Sequence, residues 1–122
     1  MGKHRTIVKA MDISFNGSTL SEILNEWIYC VRASLMDLVA FQNTGCLPNP
    51  EENLNFKNPS EFLKNLEKVQ EILEEYMDSF YHCSSSLERS QYGVYPAIVA
   101  GLKLDAYQCQ KKTKAYMSAI SS

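Results

Sequence analysis

Phe62–Leu87 reads FLKNLEKVQEILEEYMDSFYHCSSSL, and its apolar residues fall alternately four and three apart: Phe62, Leu66, Val69, Leu73, Tyr76, Phe80, Cys83 and Leu87. That spacing keeps one stripe on one side of an α-helix for about seven turns. A mean period of about 3.5 is the seam of helices packed lengthwise, as in bundles and coiled coils. Leu63 and Met77 broaden the seam, while acids and lysines share the outer face: Glu61, Lys64, Glu67, Lys68, Glu71, Glu74, Glu75 and Asp78. Asn58 caps the start, Pro59 takes the first helical position where its missing N–H costs nothing, and Glu61 completes the box. Ser84-Ser85-Ser86 weakens the far end and Gln91-Tyr92-Gly93 closes it. The expectation is a helix over residues 59–90.

Upstream, Thr19 and Glu22 form a capping box, in which hydroxyl and carboxylate each satisfy a free backbone N–H. Leu20, Ile23, Leu24, Trp27, Val31, Leu35, Leu38 and Val39 follow as a stripe, and Gly45 is placed to end it, giving a helix over 19–44. Ile28 and Tyr29 lie off the stripe and suggest contact on more than one side. The stretch Cys46–Lys57, with Pro48, Pro50 and several Asn, is long for a link inside a bundle and reads as a crossover or a surface loop. Downstream, Tyr95-Pro96 starts a third helix over 96–119, with Ile98, Leu102, Ala106, Cys109, Thr113, Tyr116 and Ile120 in similar spacing. Gly101 inside it suggests a close helix approach. Residues 1–17 fit neither helix nor strand; Asn16-Gly17 marks a turn, and the segment is a leader or a strap packed on the bundle.

The fold class expected is therefore all-α: three long helices in an up-down, coiled-coil-like bundle spanning residues 18–122. Three helices leave the wide faces of the first and second partly open, so a fourth helix from another subunit is expected to complete the core. Interface anchors would come from Trp27, Leu35, Leu66, Leu73, Phe80 and Leu102.

At 122 residues the chain is one domain, and its net charge of −2 excludes a whole-chain basic field for nucleic acid. Charge is nonetheless uneven: residues 51–90 carry four Lys/Arg against nine Asp/Glu, and residues 91–122 carry four against one. Either these faces attract each other as the helices pack, or Lys103, Lys111, Lys112 and Lys114 form a patch for an acidic partner. No apolar run approaches the roughly 18 residues needed to span a bilayer, and the basic N-terminus lacks the apolar stretch of a signal peptide. An intracellular chain is expected. Gly2 and Thr6 match the short myristoylation pattern, against which Lys3-His4-Arg5 speaks.

Little in the sequence converges on chemistry. Cys30, Cys46, Cys83 and Cys109 contain no C-x-x-C pair, which leaves zinc and redox motifs without support. Buried free thiols are the simpler reading; a disulfide-bonded secreted bundle, with Asn16-Gly17-Ser18 as a sequon, is the alternative. His82 beside Cys83 cannot form a dyad, because adjacent helix positions point about 100° apart. No phosphate loop, H-E-x-x-H or EF-hand pattern occurs. The seven tyrosines and Trp27 lie within apolar stripes and read as packing residues. No enzyme, cofactor or metal site is expected.

The order of pieces over residues 20–120 resembles the Mediator complex subunit 29 family, the intersex-like subunits of the Mediator tail. The matching stretches are Ser34-Leu35-Met36-Asp37-Leu38, Asn43-Thr44, Phe62-Leu63-Lys64-Asn65-Leu66-Glu67, Phe80-Tyr81-His82-Cys83, and Tyr95-Pro96 with Cys109. The Gln-rich leader typical of animal members is missing, and the linker has two prolines. The resemblance implies a nuclear, non-enzymatic coactivator subunit that bundles with other Mediator tail subunits in a hetero-oligomer. Direct contact with nucleic acid or membrane is not implied. A secreted cytokine-like bundle or a ligand-carrying bundle is the alternative function.

Overall fold

A computed structural model describes residues 6–121. The Gly2 myristoylation pattern, His4 and the rest of residues 1–5 lie outside that range. Three long helices dominate: α1 (Leu20–Thr44), α2 (Pro59–Tyr81) and α4 (Tyr95–Ser121), with a 3-10 turn at Leu54–Lys57 and a short α3 (Ser86–Ser90) between them. The protein is all-α, as the periodicity requires. Thr19 and Glu22 form the reciprocal capping box, at 2.9 and 3.2 Å, and Gly45 closes α1 in the left-handed conformation at φ 74°. Asn58 accepts the Glu61 N–H at 3.2 Å, with Pro59 at the first position of α2.

The second helix ends a turn or more earlier than the stripe suggests. His82 caps α2, and the Ser85 hydroxyl accepts from the N–H groups of Leu87 and Glu88, starting α3 instead of continuing α2. A serine side chain competing for backbone donors breaks a helix that apolar spacing alone would extend. Arg89 folds back onto the exposed carbonyls, donating from Nε to Cys83 O at 2.9 Å and from an Nη to Tyr81 O at 3.4 Å. Leu87 is consequently 72% exposed, and the seam closes at the aromatic group of Phe80, Tyr76 and Tyr92, whose rings meet edge-on at 5.2–5.6 Å.

Helix α4 is the middle of the bundle and packs along its length against both α1 and α2. It runs parallel to α1, since Arg32 meets Asp105 and Gln42 meets Lys112. It runs antiparallel to α2, where Gln70 meets Gln110 and Phe56, just before α2, meets Tyr116. The topology is up-down-up. The buried stripe of α4 is Val99, Leu102, Ala106, Cys109, Thr113 and Tyr116. Ile98 and Ile120, expected in that stripe, are exposed. Gly101 does not mark a close helix approach: a Cβ there would meet nothing within 4 Å.

Part of the open face expected on α1 and α2 is covered by this chain itself. Residues 6–18 form a strap antiparallel to α1. Val8 pairs with the crossover through Val8 N–H to Glu52 O and Leu54 N–H to Val8 O, both 2.8 Å. Further along, the Trp27 indole donates to Asp12 O at 2.8 Å, and Asn65 of α2 donates to Met11 O at 3.1 Å. The strap thus joins α1 to α2, with Val8 and Met11 buried. The crossover is equally ordered: Pro48, Asn53, Asn55 and Phe56 are buried.

Two asparagines hold strap, crossover and α1 together. Asn55 accepts the Met11 N–H at 2.7 Å, and its amide nitrogen lies 3.1 Å from Ser34 Oγ, Asn53 Oδ1 and Cys30 Sγ. Asn53 donates to Ser34 Oγ and Asp37 Oδ2, both at 3.1 Å. Buried polar groups of this kind are costly when one member is removed, because the others stay desolvated without partners. Asn55→Ala is expected to lower unfolding free energy by about 2–4 kcal/mol in urea titration, as several groups each lose a partner worth about 1–3 kcal/mol. In the opposite direction, Gly101→Ala should raise it by about 1 kcal/mol, since helical propensity improves and nothing obstructs the methyl.

Candidate interaction surface

The structure separates the six expected anchors. Trp27, Leu66, Leu73 and Leu102 are buried in the chain's own core and are not available to a partner. Leu35 and Phe80 are half-buried. Phe80 belongs to the aromatic group that closes the end of α2, whereas Leu35 borders an open groove.

That groove follows from how the strap orients α1. Its buried face comprises Leu24, Trp27, Cys30, Val31, Ser34 and Leu38. Cys30 and Ser34, absent from the expected stripe, are buried because strap and crossover cover that flank. Leu20 and Val39, expected inside, are exposed. The apolar band read from sequence is therefore rotated, and its uncovered edge faces solvent beside α4. Leu35, Met36, Val39 and Ala40, with Arg32 and Asp105, line a groove of about 590 Å³. Met36 is 72% exposed, more than a core or boundary position would allow. Two further depressions continue the α1–α4 line, one between Ser21–Ile28 and Tyr95–Gly101, the other between Leu38–Gln42 and Gln108–Tyr116. All three open at the surface.

Charge on this side is predominantly positive. Arg32 pairs with Asp105 at 3.5 Å across the groove. Lys112 donates to Gln42 at 2.6 Å, and the Lys111 ammonium sits 5.6 Å from the Tyr107 ring centroid. The acids of α2 do not neutralise these lysines: among the described residues no ion pair joins an α2 carboxylate to an α4 lysine. The first of the two charge readings, faces that attract as the helices pack, is not realised as contacts. His82 is exposed, and its ring Nδ1 lies 2.7 Å from Asp78 O, a helix-end contact.

The cysteines are free: Cys30 and Cys109 are buried, Cys83 is half-buried and Cys46 exposed. Burial pushes the Cys30 thiol up to about 11 and the Cys109 thiol up to about 12. Both shifts disfavour the nucleophilic thiolate, so these residues act as small hydrophobes. Among the described residues, no three His, Cys, Asp or Glu side chains are grouped to hold a metal ion, and no helix is long and apolar enough to cross a membrane.

No protein family matches any part of this chain, and no curated protein or solved structure does either.

Alkylation of the native protein at neutral pH should modify Cys46 first and leave Cys30 and Cys109 untouched until the chain unfolds, as mass spectrometry of labelled peptides would report. The two raised thiols favour the folded state fully below an ordinary thiol pKa. That contribution is lost as pH climbs from about 9 through about 11 to 12, because the unfolded chain ionises first. Stability should therefore fall over that window, and fall less steeply in Cys109→Ala.

Proposed function

We propose that this protein is a non-enzymatic assembly module that joins other protein subunits through the α1–α4 face. The observation carrying this reading is the groove formed by Leu35, Met36, Val39 and Ala40, left open on a bundle whose core is otherwise closed by its own strap. Contiguous exposed apolar surface rimmed by polar groups marks interaction sites in proteins of this size. Helix pairs offer such sites by presenting a long groove into which side chains of another helix insert.

Within that reading, the resemblance to Mediator complex subunit 29 supplies the finer proposal: a nuclear coactivator subunit whose partners are Mediator tail subunits. The segment Ser34-Leu35-Met36-Asp37-Leu38, one of the stretches carrying the resemblance, supplies part of the groove. A ligand carrier would instead call for an enclosed apolar chamber, whereas the cavities along α1–α4 open outward.

Met36→Glu tests the surface. Its side chain is solvent-exposed, so the thermal melt should stay within about 0.5 kcal/mol of the parent. Co-purification of Mediator tail subunits from nuclear extract should be lost. Leu73→Asp, by contrast, places a charge in the core and should yield no soluble protein, while Glu74→Lys should change little. Unchanged co-purification by Met36→Glu would remove the groove from the interface. A parent protein that brings down no Mediator subunit would remove the finer reading.

A further inference from the structure

We infer that the α1–α4 groove accepts an acidic amphipathic helix from a partner protein, an inference that rests on the groove being the interaction face. Its apolar floor is Leu35, Met36, Val39 and Ala40. The cations around it outnumber the acids. Asp105 is the carboxylate lining the central groove and is already paired with Arg32. Lys111 and Lys112 line the next depression, and among the described residues their contacts are a tyrosine ring and a neutral glutamine. Two unneutralised lysines beside an apolar trough recognise a ligand that brings carboxylates on its flank and aliphatic side chains on its underside.

The secondary structure of that ligand follows from the walls. Both sides are helices whose backbone N–H and C=O groups are internally bonded, so no edge is available to pair with an added strand. What the walls offer is rows of side chains at helical spacing, such as Leu35, Met36 and Val39, which fit ridges of a third helix. Charge argues against a second copy of this chain at this site. Parallel face-to-face pairing would set Lys111 and Lys112 against the same lysines. Its own acidic helix, α2, keeps its apolar stripe of Phe62, Leu66, Val69, Leu73 and Met77 buried, leaving no comparable row of anchors to insert.

The test uses the full chain and two stapled helical peptides of about 20 residues, long enough to cover most of the groove. Both carry the same leucines at i, i+4, i+7 and i+11, one with glutamates and the other with lysines on the flanks. By fluorescence anisotropy the glutamate peptide should bind at least about tenfold more tightly and weaken as salt rises from about 50 to about 300 mM. Lys111→Glu with Lys112→Glu should invert that preference. Met36→Glu should abolish binding of either peptide with the melt unchanged. Equal or tighter binding of the lysine peptide would overturn the acidic partner while leaving the groove as a helix-binding face. Binding of neither peptide, or binding indifferent to Met36→Glu, would overturn the groove itself and the function proposed from it.

Discussion

Asn53 and Asn55, with Ser34, Asp37 and the backbone of Met11, form the polar knot on which the arrangement of this bundle depends. An apolar core is tolerant of sliding and rotation; hydrogen bonds of fixed direction are not. The knot fixes how far the crossover folds back along α1 and where the strap enters. The strap then lies between α1 and α2, and the crossover reaches α4 through Phe56 and Tyr116. Trp27 illustrates the coupling: its ring is buried in the core, its N–H is spent on Asp12 O, and Phe15 packs edge-on at 5.9 Å.

Fixing the strap also fixes which part of α1 remains outside. The helix has apolar residues around more than half its circumference, and only part of them can be covered from one side. Coverage of Cys30, Ser34 and Asp37 turns the opposite edge, Leu35–Met36–Val39–Ala40, outward beside α4. The surface from which a function is proposed and the knot that stabilises the fold are thus two results of a single packing choice. Lysines left without acids on α4 give that surface its sign.

Much of the architecture is legible in the sequence because it is encoded locally. Thr19/Glu22, Gly45 and Asn58-Pro59 delimit helices through contacts within four residues, and each boundary appears where the chemistry puts it. The four-and-three spacing locates the core of α2 through Leu73. Beyond it Met77, read as a flanking residue, is buried and Tyr76 of the seam is half-buried. The pattern fails at Ser85, whose capping hydroxyl outweighs a marginal apolar position at Leu87. What could not be read was everything that joins distant segments. Asn55 lies 44 residues from Met11, and asparagines in a Pro-rich stretch look like turn formers until a partner is known. The same ignorance placed Leu20 and Val39 inside and left Cys30 and Ser34 out. Of the candidate site, the sequence contained the residues and not their exposure: Leu35 was singled out with five others, four of which lie in the core.

The order of the helices along the chain has a bearing on biosynthesis. The element that both α1 and α2 lean on follows them in the chain, and these two contact each other far less than either contacts α4. An emerging polypeptide therefore holds Trp27, Leu38, Leu66 and Leu73 without their final cover until Tyr95–Ser121 has cleared the ribosome. Contacts between α1 and α4 such as Arg32 with Asp105 close across about seventy residues, so that part of the core cannot form before α4 is made. A premature stop within Tyr95–Ser121 would deprive both earlier helices of the surface they share, leaving the strap as the link between them.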